Sequence, residues 1–148
     1  MIFTTKAACR ILGRDRKQQA DDIATGHCKH VPTAIGGLRY WRTDDLAGEM
    51  FFVDQRDHGY SVKMAGALAS RLRRAMEEHP TADQLSLVTL TNGNRFAART
   101  DTLDVSTGFN SGGAVREVLM VNVRNLRERV QRLIEADADL VGADDDAA

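Results

Sequence analysis

At 148 residues the chain is long enough for one ordinary hydrophobic core, or for two small subdomains that lean on each other. Its 43% hydrophobic and 28% charged residues are those of a globular protein in water, and no apolar run approaches the roughly 20 residues of a membrane span. The net charge of −1 conceals an asymmetry: residues 1–42 hold eight Lys/Arg against three Asp, which leaves the remainder acidic. A basic first third on an acidic chain is the footprint expected of a polyanion-binding head, set against the plainer reading of a salt-bridged, solvated helix face. Lys6 and Arg10 interrupt the apolar start, MIFTTKAACRILG, which argues against a secretion signal. Cys9 and Cys28 have no pairing signature and read as reduced thiols of a cytoplasmic protein.

In chain order, Thr4 or Thr5 caps a predicted helix through about Leu12, with Ala7, Ala8, Ile11 and Leu12 on one stripe and Gly13 as its stop. Asp15 caps a second helix through about Thr25, with Ala20, Ile23 and Ala24 inward and Gly26 ending it. Two short helices joined by a glycine-containing turn form a helix-turn-helix. A hairpin is predicted next, with Gly36-Gly37 as its turn and Leu38 to Trp41 as a strand carrying Arg39 and aromatics. Helices follow from about Asp44 to Gln55 and from Val62 to Glu78, the latter capped by Ser61 and closed by Pro80.

Beyond Pro80 the period changes to two. Gln84 to Thr91 alternates, with Leu85 and Leu87 opposite Ser86, Val88 and Leu90. Asn92-Gly93 marks a hairpin turn and Asn94 to Arg99 the returning strand. Leu103 to Ser106 reads as a short strand, Ser111-Gly112-Gly113 as a turn, Glu117 to Val123 as a strand, and Asn125 to Glu135 as the last helix. The expected fold class is α+β: a winged helix-turn-helix with two further helices over 1–79, then a hairpin, strand and helix over 80–136 serving dimerisation or an effector. Residues 137–148, small and acidic, read as a disordered tail.

A basic hairpin directly after a helix-turn-helix occupies the place of a wing, which lays cations along phosphates while the second helix enters the major groove. Arg39 and Arg42 suit phosphate, and Lys29 joins them. Trp41 either donates its indole N–H to a phosphate or fills the core, and we favour the core. On the second helix, Arg14, Arg16, Lys17, Gln18 and Gln19 are the expected DNA contacts, with Arg pairing to guanine and Gln to adenine. Leu126, Val130, Leu133 and Ile134 line the last helix and are the expected dimerisation stripe, packed on their own sheet, on a second copy, or on both.

The run Gly37-Leu38-Arg39-Tyr40-Trp41-Arg42-Thr43-Asp44-Asp45-Leu46 resembles the wing signature of the MerR superfamily, glycine-aromatic-arginine-x-aromatic-xxx-Asp-Leu, with Leu38 as its one departure. Gly13 and Gly26 stand at the family's spacing, and Gly59-Tyr60-Ser61-Val62 is similar to the start of its fourth helix. The resemblance covers residues 1 to about 78. It implies a dimeric winged-helix DNA binder: a cytoplasmic, nucleoid-associated transcription regulator of a bacterium or phage that works on double-stranded DNA, with RNA polymerase as a further partner, or an excisionase-like architectural protein. Asp21 and Asp22 stand where the family places a tyrosine pair, so that half of the helix must face away or pair inward. The segment after residue 80 also departs from the family's long dimerising helix.

Other readings weigh less. His27-Cys28-x-His30, with His58 elsewhere, supplies at most three zinc ligands on a loop and strand, so no metal is expected. Cys9 reads as a small core residue, and Ser111-Gly112-Gly113 lacks the lysine and context of a phosphate loop. No spacing sets a nucleophile beside a base, so neither catalysis nor a cofactor is expected. The competing class is a protein-interaction module whose basic head docks an acidic protein; competition by duplex DNA separates the two.

Overall fold

Thr4 holds extended backbone and its hydroxyl accepts from the amide of Ala7 at 3.1 Å, which starts helix α1 (Thr5–Leu12). A computed structural model describes residues 1–106 and 113–141 of the chain. Gly13 ends α1 in the left-handed region (φ 65°), and Asp15 caps α2 (Arg16–Gly26) by accepting from the Gln18 amide at 2.9 Å. Ser61 does the same for α4 (Val62–Glu78), which pairs with α3 (Thr43–Asp57).

The fold is α+β. Strand β1 (Ile2–Phe3) pairs antiparallel with β2 (Trp41–Arg42), Phe3 opposite Trp41. A second sheet has the order β4-β3-β5, all antiparallel, from β3 (Gln84–Leu90), β4 (Arg95–Arg99) and β5 (Val115–Asn122). In the central strand Leu85 lies between Arg99 and Val121, and Leu87 between Ala97 and Leu119. Both faces of β3 are buried, since Ser86, Val88 and Leu90 are as enclosed as Leu85 and Leu87. Helix α5 (Val123–Val141) then returns across α3 and α1.

One hydrophobic cluster runs through the molecule, from Phe3, Ala8 and Trp41 through Leu46, Phe52, Leu72 and Met76 to Leu85, Val121, Leu126, Val130 and Ile134. Residues before and after position 80 therefore share one core. Trp41 lies within it, fully buried, its indole N–H donating to the Thr5 hydroxyl at 3.1 Å. The core alternative for this residue is the one realised.

Several expectations need correction. The wing is not a regular two-stranded hairpin: Gly36 and Gly37 (φ 58° and 81°) turn the chain, but Ile35 and Leu38 form a single bridge around them. Pro32 has no amide to donate to a ladder, and Arg39 instead closes the loop by donating to the Pro32 carbonyl. The strand is shortened to Trp41–Arg42 because its partner is the distant β1. On α2 the inward residues are Gln19, with Asp22 and Ile23 half-buried, whereas Ala20 and Ala24 are exposed. Gly26 is helical rather than a stop; His27 takes the left-handed position (φ 49°). A Cβ at Gly26 would lie 2.7 Å from Val62 Cγ1, so close approach of α2 to α4 demands glycine there.

Leu103 to Ser106 form no strand. A 3-10 turn, Thr100–Thr102, precedes them, and Asp104 Oδ1 accepts from the Ser106 amide at 2.9 Å. Helix α5 starts two residues early and runs on, so 137–141 of the expected tail are helical and Asp137 is buried against Arg10. The rest of that tail, 142–148, and Ser111 and Gly112 of the expected turn lie outside the described residues.

Candidate nucleic-acid interface

The α1–turn–α2 unit is held by the backbone and by a buried polar seam. Around Gly13, its own amide donates to the Arg10 carbonyl at 3.2 Å and that of Arg14 to the Cys9 carbonyl at 2.8 Å, which fixes the angle between the helices. Under the turn, Arg14 Nε donates to Glu49 Oε1 at 3.1 Å and Nη2 to Asp22 Oδ2 at 2.7 Å. The guanidinium also lies over the Phe52 ring, 5.6 Å from its centroid. On the other side of Glu49, Oε2 meets His30 Nε2 at 2.8 Å, and His30 stacks on Phe52. The Cys9 thiol donates to Gln19 Oε1 at 3.0 Å.

Two expected DNA contacts are therefore corrected. Arg14 keeps 9% of its side chain exposed and is committed to two carboxylates. Gln19 is 2% exposed and belongs to the seam. Both turn inward because α2 has few apolar residues with which to dock, and polar partners on α1 and α3 replace them. The same seam answers the difficulty of the acidic α2. Asp22 is drawn inward by Arg14, whereas Asp21 stays exposed.

Arg16, Lys17 and Gln18 are exposed on the first turn of α2, and none has a side-chain partner among the described residues. Beside them runs a groove of about 940 Å³ between α1, α2 and the wing turn, lined by Lys6, Arg16 and Arg39 with Tyr40. Lys6 and Tyr40 were not among the expected contacts; Lys6 counted only toward the charge of the first third, and Tyr40 only toward the wing pattern. Lys29 and Arg42 are exposed but do not join this groove. They line a separate cleft on the α4 side of the loop. The residues expected to meet DNA are thus divided: Arg16 and Arg39 share one depression, with the buried Gln19 at its floor, Lys29 and Arg42 line another, and Arg14 is committed to the carboxylates beneath the turn.

The expected dimerisation stripe is corrected as well. Leu126, Val130 and Ile134 are buried in the chain's own core, packed across α3 and α1, and Leu133 alone stays 38% exposed. Bidentate Arg127–Asp44 and Arg129–Asp54 pairs fasten the helix to α3.

Burial, reinforced by Glu49 and Asp22, pushes the Cys28 thiol up to about 11, and burial likewise raises Cys9. Both are neutral thiols near neutral pH, without the electropositive setting of a reactive cysteine. Cys28 is buried and His30 is taken by Glu49, while His27 is exposed. Among the described residues no group of three His, Cys, Asp or Glu side chains is placed to hold a metal ion, and no helix is long and apolar enough to cross a membrane. The sequence matches no family model and none of the curated proteins with which it was compared.

Proposed function

We propose that this chain is a sequence-specific double-stranded DNA-binding protein, a MerR-like transcription regulator that acts as a homodimer with RNA polymerase as a further partner. The observation that carries the reading is the outward face of α2. Its first turn presents Arg16, Lys17 and Gln18 to solvent without carboxylate partners, while Asp22 of the same helix is neutralised from inside by Arg14. The first turn of a recognition helix is the part that meets base edges, and guanidinium and amide groups there suit guanine and adenine. Lys6 and Arg39 in the adjoining groove suit the phosphate strand that would run between helix and wing.

Selection of bound sequences from a random duplex library tests this directly. Enrichment of one motif, lost in Arg16→Ala, is the expected result. Recovery of unenriched sequence, or of nothing at low salt, would overturn the reading.

A further inference from the structure

The cleft on the α4 side of the loop has about 630 Å³, within the range of pockets that enclose a small organic ligand. Five cations line it against two carboxylates, Asp45 and Glu77. Both carboxylates are taken by one of those cations: Arg73 donates from Nε to Asp45 at 3.0 Å and from Nη2 to Glu77 at 3.1 Å. Arg74 pairs with Glu78 outside. Lys29, Arg42 and Arg71 are left without a carboxylate partner among the described residues. Arg71 is half-buried, and the charge that acts on it is the like charge of Arg95; burial and that neighbour both lower its pKa. Uncompensated cations converging on a cleft are arranged for an oxyanion.

Two buried polar atoms of the lining residues point the same way. Arg73 Nη1 and His30 Nδ1 are enclosed without a hydrogen-bond partner, a condition that is rare and costly in a folded chain. Nε2 of His30 is engaged by the Glu49 carboxylate, which leaves Nδ1 as the ring atom open to a polar group of a ligand. The rest of the wall is mixed, with the hydroxyls of Thr33 and Ser70 beside apolar Ile2, Val31, Pro32 and Ile35 and the ring of Tyr40. Ile35 and Tyr40 are 69% and 48% exposed there, beside the buried Val31.

We propose that this cleft binds a small organic anion: an apolar or aromatic body against Val31, Ile35 and Tyr40, carrying a phosphate or carboxylate held by Lys29, Arg42 and Arg71. Its wall leads to α2 through a continuous chain of contacts, His30 to Glu49 at 2.8 Å, Glu49 to Arg14 at 3.1 Å and Arg14 to Asp22 at 2.7 Å. A ligand that re-aims His30 thus acts on the seating of α2. That consequence rests on the DNA-binding reading; the binding itself does not.

The test is a titration of the full chain, followed by its backbone amide resonances, with 1-naphthyl phosphate as probe and 1-naphthol and inorganic phosphate as separate arms. Saturable shifts at Lys29, Val31 and Arg71 are expected with the naphthyl phosphate, weaker shifts at the same amides with phosphate, and none with naphthol. Arg71→Ala should weaken binding at least tenfold, Arg71→Lys should retain part of it, and Arg132→Ala on exposed α5 surface should change nothing. Equal binding of naphthol, shifts centred elsewhere, or Arg71→Ala binding as the parent does would overturn the proposal. So would shifts at these amides with duplex DNA alone, which would make the cleft a seat for the DNA backbone. No arm but the last contains DNA, so failure here leaves the DNA reading standing, and binding of the probe by a protein that ignores DNA would separate the two.

Discussion

Arg14 and Arg16 are two positions apart and have opposite fates. Arg14 serves Glu49 and Asp22 under the turn, while Arg16 stands in solvent beside the groove. Arg14→Ala would strand two carboxylates, one of them fully buried, and should cost about 3–5 kcal/mol of stability. Arg16→Ala and Gln18→Ala should leave the free energy of urea unfolding within roughly 0.5 kcal/mol of the parent, yet cost on the order of 1–3 kcal/mol on the preferred duplex alone. An unchanged urea midpoint for Arg14→Ala would place that residue outside the seam. None of this division was legible in the sequence. The stripe on α2 was read from alanines and one isoleucine, whose weak apolar signal is overridden by hydrogen bonds from other helices. Trp41 was legible, since a tryptophan between a turn and a helix cap has little choice but the core. The thiols give a second check at this scale. Cys28 is held up near 11, against 9.0 for a free thiol, so the folded state keeps its proton longer than the unfolded one. Its contribution is fully present below pH 9 and is lost as pH rises toward 11. The urea midpoint should fall across that window and fall less in Cys28→Ala; equal slopes in the two proteins would remove Cys28 as the cause.

At the scale of elements, α5 decides how far the first half of the chain can stand alone. Leu126, Val130 and Ile134 fill the same core as Trp41 and Leu46, and Arg10 on α1 reaches Asp137 near the far end of α5 with two bonds of 2.8 and 3.0 Å. A chain ending at Glu78 should therefore lack a cooperative unfolding transition. In the full chain, Leu126→Ala and Ile134→Ala should each cost about 2–5 kcal/mol. A sharp thermal transition in the shortened chain would show that the first four helices hold a sufficient core. The helix caps at Thr4, Asp15 and Ser61 and the Asn92-Gly93 hairpin were legible because each is a local device whose partner lies within a few residues. The wing was legible only as a turn. Its strand depends on β1, about forty residues earlier, a pairing that no local pattern announces. The end of α5 is not legible because ADADLV is small and acidic by composition, whereas Asp137 answers an arginine 127 positions away.

For the whole molecule, the separation of charge becomes a statement about approach. The acidic remainder carries several of its α3 carboxylates in pairs with its own arginines on α4 and α5, whereas Lys6, Arg16 and Arg39 share one groove between α1, α2 and the wing. A field of this kind orients a protein before contact and weakens steeply with salt. If one head makes three to five phosphate contacts, log K against log salt should slope by roughly −3 to −4.5. Because a single head reads too few base pairs to outcompete a genome of non-specific sites, the proposed dimer should show about twice that, roughly −5 to −9. With α5 spent on the chain's own core, such a dimer has to assemble through another surface, so slope and assembly must be measured together. Fluorescence anisotropy on the selected duplex across a potassium chloride series gives the slope, and sedimentation at the same concentrations gives the number of chains. A slope near −4 with one chain per site would make the protein a monomeric binder. A slope near zero would remove the phosphate contacts, and with them the role assigned to Lys6, Arg16 and Arg39.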